Sequence, residues 1–209
     1  MQERLVEARR GGEAPDTLLL LEHPPVVTLG RGAHAENLLL DEASLRERGI
    51  ELHEAGRGGD VTYHGPGQLV GYPVIALEGK RRDAHRYLRD LEDGLIAAVA
   101  TFGIEAERVP GLTGVWVGSR KIAAIGVRIG TGWITSHGFA LNVAGDLAGF
   151  DTIVPCGIRG RGVTSLTRET GEAFELEAVA RVAAEHVAEA LGLAVAWDGA
   201  ISSARRESA

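Results

Sequence analysis

Cysteine and methionine each occur once in these 209 residues, and lysine, asparagine and glutamine occur twice each. Each scarcity excludes something. The single cysteine, Cys156, cannot close an internal disulfide, so no feature of the chain calls for an oxidising compartment, and the cytoplasm is the expected location. No apolar run approaches the roughly 18 residues that span a bilayer. The opening MQERLVEARRGG carries charge where a secretory signal would carry an apolar stretch, so no membrane association is expected. A net charge of −7 argues against a general nucleic-acid binder. One local exception is the basic cluster Lys80, Arg81, Arg82, Arg86 and Arg89, which is either a solvated helix face or a surface that steers an acidic partner.

Few amides, cysteines and methionines suit a heat-stable source, and an arginine-biased genome would give the same cationic preference. Against that preference the chain keeps Lys80 and Lys121 beside 20 arginines. A buried lysine can give up its proton, whereas arginine cannot. Lys121 is therefore a candidate base.

Periodicity predicts helices at 3–10, 41–48, 83–102 and 174–191. Glycine or glycine pairs follow the first three as stop signals. Short apolar or alternating runs predict strands at 17–22, 26–29, 50–54, 72–77, 104–109, 114–117, 121–129, 133–143 and 194–197, with 57–71 as a glycine-rich loop and 202–209 as a flexible tail. Strand runs and helix runs are segregated, which favours one α+β domain over 1–209, its sheet mixed and mostly antiparallel and packed by helices.

Four segments carry chemistry. RGGDVTYHGPGQL (57–69) holds four glycines and a proline, a composition that lets a ligand approach the main chain; it lacks the GK[ST] ending of a nucleotide loop. SRKIAAIG (119–126) places Lys121 at the start of a strand of small apolar residues, where desolvation would make it a base. In SHGFALNV (136–143), alternation puts His137, Phe139 and Leu141 on one face. IVPCGIRGRG (153–162) sets Cys156 in a tight turn near Arg159 and Arg161, surroundings that favour a thiolate. His64, His137 and Cys156 have none of the close spacings of a zinc site, so no metal is expected. A Cys–His hydrolase and a non-catalytic acyl-binding module, with Cys156 as filler, stay open on residue chemistry alone.

In this order the segments resemble the lipoyl(octanoyl) transferases of lipoate biosynthesis. EHPPVVTLG (22–30), RGGDVTYHGPGQL, TGVWVGSRKIAAIGVRI, HGFALNV and FDTIVPCG carry the likeness, which covers most of the chain. The resemblance implies a biotin/lipoate protein ligase-like fold. It implies octanoyl-acyl carrier protein as donor. It implies lipoyl domains of 2-oxoacid dehydrogenase E2 subunits and the glycine cleavage H protein as acceptors. It implies no cofactor. Cys156 matches the acyl-bearing nucleophile and Lys121 the lysine that lowers its pKa. Arg57, Gly58, Gly59, Asp60, Val61, Thr62, Tyr63, His64, Ala124, Ile125, Gly126, His137, Gly138 and Phe139 match substrate-lining positions. Members of that family usually begin with a strand and turn before the first helix, so residues 1–10 are expected to be the remainder of that helix. An ATP-dependent lipoate ligase of the same fold is the nearest alternative, and it would need no cysteine.

Overall fold

A computed structural model describes residues 1–157 and 160–197, together with the backbone of Ser202–Ser203; the side chain of Cys156 lies outside the described residues. The strands are β1 (Thr17–Glu22), β2 (Val26–Leu29), β3 (Glu51–Glu54), β4 (Val61–His64), β5 (Gln68–Val74), β6 (Glu107–Val109), β7 (Leu112–Val117), β8 (Arg120–Ile129), β9 (Thr135–Asn142), β10 (Gly162–Val163) and β11 (Ser202–Ser203). The helices are α1 (Gln2–Gly11), α2 (Glu42–Glu47), α3 (Ala84–Ala100), α4 (Leu166–Thr170) and α5 (Leu176–Ala190). The main sheet runs β11-β1-β5-β9-β8-β7-β6, with β10 added beside the start of β8; a smaller sheet runs β3-β2-β4. Pairings are antiparallel except β1–β11, β2–β3 and β8–β10. The architecture is α+β with a mostly antiparallel sheet.

Helices α3 and α5 cover one face of the main sheet. Asp83 caps α3 by accepting hydrogen bonds from the backbone N–H groups of His85 and Arg86. Its buried stripe, Tyr87, Leu91, Leu95 and Val99, meets Val179, Ala183 and Val187 of α5 and Leu69, Ile122 and Leu141 of the sheet. Gly94 sets the spacing between the helices: a Cβ there would lie 2.7 Å from Val187 Cα, so only glycine permits this approach. A second core, Val27, Leu45, Ile50, Val61, Tyr63, Phe150 and Ile153, lies between the small sheet, α2 and the 3-10 turn Leu147–Thr152.

Two expectations fail here. The segment 57–71 is not all loop: β4 and most of β5 fall within it. Its alternation is too short to stand out beside four glycines, yet Val61 and Tyr63 enter the second core while Thr62 and His64 face the other way. Residues 194–197 form no strand, because they find no pairing partner among the described residues. Of the expected tail, the backbone of Ser202–Ser203 pairs with Leu21 and Glu22, and 204–209 lie outside the described residues.

Candidate active site

A cleft of about 820 Å³ opens between the two sheets. The central strands β5, β8 and β9 make its floor with Val70, Ala124, Gly126, Gly138 and Ala140, and β4 with the preceding turn makes its wall with Arg57, Gly58, Gly59, Asp60, Thr62 and His64. Ile125, His137 and Phe139 also line it, as do His23, Thr28 and Tyr72. The sequence therefore brings twelve of its fourteen expected substrate-lining residues to one cleft, and Lys121 with them. Val61 and Tyr63 are not among them; they pack into the second core.

The small residues have a steric reason. A Cβ on Gly126 would come 3.0 Å from Gly58 O, and one on Gly138 would come 2.2 Å from Gly71 O, so the floor approaches neighbouring backbone at these points. Alternation breaks at His137, whose φ of +56° is rare outside glycine. The ring accordingly leaves the face of Phe139 and stands edge-on to Tyr72, at 6.3 Å. The backbone N–H of His137 donates to Gln2 Oε1 from α1 at 3.1 Å.

Three histidines and a tyrosine that line the cleft are held neutral. Burial pushes His64 down to about 4, with His23, Arg57 and His137 acting the same way and a bond to Gln68 opposing. Burial also pushes His137 down to about 4, reinforced by Arg57 and Arg128, and lowers His23. Tyr72 is pushed up to about 12 by burial and holds His23 Nε2 at 2.7 Å. Arg57 is buried and donates to the Thr28 carbonyl at 2.6 Å and to Thr28 Oγ1.

Lys121 does not snorkel to water. It is 6% exposed, its Nζ lies 4.8 Å from the Trp116 ring centre, and Arg161 stands over the same ring at 5.2 Å. Lys121 is held from three sides. Strand β10 pairs with it through Val163, the Thr164 N–H donates to its carbonyl at 3.0 Å, and Gly114 leaves room for its stem. Lys121 and Pro155, the residue before Cys156, line one small cavity beside the cleft.

Cys156 has its backbone in the 3-10 turn Pro155–Gly157. Asn37 and Asp60 brace that turn. Asp60 Oδ2 accepts from Asn37 Nδ2 at 2.6 Å, and Oδ1 accepts from the N–H groups of His34 and Val61. The Asn37 carbonyl accepts from Val154 N–H at 2.8 Å. Gly157, at φ +67°, lies against both side chains, and a Cβ there would be 2.8 Å from Asp60 Oδ2. Arg159 lies outside the described residues. The basic cluster is largely engaged at home: Arg81 donates to Leu191 O, Arg82 to Leu77 O, Arg86 pairs with Asp90, and Arg89 with buried Glu92. Among the described residues no group of three or more His, Cys, Asp and Glu is placed to hold a metal ion.

The arrangement of a buried lysine, a cysteine-bearing turn and a cleft with an apolar floor and a polar wall suits acyl chemistry. Residues 1–188 match the lipoyl protein ligase A/B catalytic domain family. The chain belongs to this family. It is 58% identical over 193 residues to an octanoyltransferase of Rubrobacter xylanophilus, covering 92% of this chain and 86% of that one. It is 51% identical over 212 residues to an octanoyltransferase of Acidobacterium capsulatum, covering 94% and 86%. Among solved structures it resembles a bipartite lipoate protein ligase of Thermoplasma acidophilum (TM-score 0.74, 18% identity, 98% of this chain and 83% of that one). It also resembles a lipoate-protein ligase A bound with ATP (TM-score 0.73, 19% identity, 91% and 77%). At those identities the structural likeness carries the biotin/lipoate ligase fold.

The sequence reading missed several residues that the site uses: His23, Asn37, Gln68, Trp116 and Asn142. A signal existed for three of them. All four amides of the chain make hydrogen bonds around the cleft or the cysteine turn: Gln2 to His137, Asn37 to Asp60, and Gln68 to Asn142. Like Lys121, Asn37, Gln68 and Asn142 are rare residue types that the chain keeps at these positions.

Proposed function

We propose that this protein is an octanoyltransferase of lipoate biosynthesis that works through an S-acyl-cysteine. The observation that carries the reading is its identity above 50% with two named octanoyltransferases over more than nine-tenths of its length. The buried lysine beside the cysteine turn supports it.

A free cysteine has a pKa of about 8.5, so a neighbouring group must hold the thiolate at neutral pH. In this reading Lys121 takes the Cys156 proton, and the resulting ion pair holds the thiolate. The thiolate attacks the thioester of octanoyl-acyl carrier protein; the new C–Sγ bond forms, the carrier's C–S bond breaks, and Lys121 returns a proton to the departing carrier thiolate. One thioester replaces another, so the step needs no ATP and no cofactor. The backbone N–H of Gly59 is the candidate oxyanion donor; those of Gly58 and Gly157 already donate to the Val127 and Val154 carbonyls. The octanoyl chain lies over Val70, Ala124 and Ala140, with Gly126 and Gly138 giving it room. Arg57, Gly58, Gly59, Asp60, Thr62, His64 and His137 form the polar rim of the same pocket. A lysine of a lipoyl domain, in an E2 subunit or the H protein, then takes the acyl group. The cytoplasm, which keeps thiols reduced, is the fitting compartment.

The test is octanoyl transfer to a lipoyl domain in a reaction without ATP. Transfer by the wild-type protein, and its loss in Cys156→Ser, is the expected result. A requirement for ATP and free octanoate would instead indicate a ligase.

A further inference from the structure

A buried line of hydrogen bonds fixes the tautomer of His64. The Thr164 carbonyl can only accept, and it accepts from Asn142 Nδ2 at 2.9 Å. Asn142 therefore turns Oδ1 toward Gln68, whose Nε2 donates to it at 2.9 Å. Gln68 in turn faces His64 with Oε1, 2.6 Å from Nδ1. An oxygen there requires a proton on Nδ1. The neutral ring then carries its lone pair on Nε2, in a residue that lines the cleft. His64, Gln68 and Asn142 are all buried, so the line cannot be rearranged by water at little cost. Its far end is tied to the lysine strand: the Thr164 N–H donates to the Lys121 carbonyl, and the Thr164 hydroxyl donates to Glu169.

The proton count of the proposed reaction shows where such a lone pair is needed. The acceptor lysine arrives as an ammonium and leaves as an amide, losing two protons. The Nζ–C bond forms and the C–Sγ bond breaks, regenerating the Cys156 thiolate. Lys121, neutral after protonating the carrier thiol, takes back one proton. The other needs a second acceptor. We propose that His64 Nε2 is that acceptor, receiving an N–H of the incoming lysine and passing the proton to water, and that Gln68 and Asn142 are positioning residues that hold it in the accepting tautomer. The proposal rests on the transferase reading above.

Two measurements test it. In long-range ¹H–¹⁵N spectra of the unliganded wild-type protein, His64 is expected as the Nδ1–H tautomer; an Nε2–H tautomer overturns the proposal, whatever the variants do. In pre-steady-state mass spectrometry the two half-reactions are separated, and His64→Ala is expected to slow transfer from the S-octanoyl enzyme to the lipoyl domain at least about 30-fold more than it slows S-octanoylation, in line with the loss of a proton acceptor. Equal slowing of both steps overturns the His64 role while leaving the transferase reading intact. Failure of the wild-type protein to form any S-octanoyl species sinks the transferase reading, and the His64 role with it.

Discussion

Lys121 was legible as a single residue because a chain with 20 arginines keeps only two lysines. The structure gives the reason that sequence could not: the side chain is buried against Trp116 beside the cysteine turn. Lys121→Arg keeps the charge and the ring contact but cannot accept a proton. It should lower kcat by about 100-fold or more with the fold intact. Single-turnover S-octanoylation with a circular dichroism control checks this, and near-wild-type rates would remove the base role. His64 carries a second prediction at this scale. Its pKa is lower in the folded state, about 4, than in the unfolded chain, about 6.5, so the unfolded chain binds more protons between those values. Stability from this group is therefore full above pH 6.5 and falls as pH drops toward 4, by on the order of 3 kcal/mol. His64→Gln should flatten that part of the profile of urea midpoint against pH; an unchanged slope would contradict the buried, neutral assignment.

Elements were legible wherever periodicity ran long. The expected helix at 83–102 is α3, Ala84–Ala100, because a strong N-cap and a stripe repeated over four turns leave little ambiguity. Strand β4 was not legible: four residues of alternation sit between glycines, and what makes them a strand is pairing with β2, a contact remote in sequence. Packing of elements yields two predictions. Gly94→Leu forces α3 from α5 at a backbone contact with no flexible neighbour to give way, and should cost about 3 kcal/mol or more. A thermal midpoint within a few degrees of wild type would show that the helices can separate cheaply. Asn37→Ala leaves an Asp60 oxygen without its partner against the cysteine turn. It should cost about 1–3 kcal/mol and lower the rate of Cys156 alkylation by iodoacetamide. An unchanged alkylation rate would mean that the turn holds its shape without the brace.

At the scale of the molecule, two sheets leave a cleft between them, and the cysteine and lysine segments meet at its edge although 35 residues separate them in the chain. Composition gave the class, and the order of the motifs gave the family, because both are properties of the linear chain. The polar line from His64 through Gln68 and Asn142 was hidden: its members are spread over some 80 residues, and only the β5–β9 register makes them adjacent. The central claim is that Cys156 carries the octanoyl group. Intact-mass and peptide-mapping spectrometry of the enzyme mixed with octanoyl-acyl carrier protein, with neither ATP nor acceptor, tests it most directly. The account predicts one octanoyl adduct, mapped to Cys156 and absent from Cys156→Ser; an adduct that persists in that variant, or none on the wild type, would contradict it.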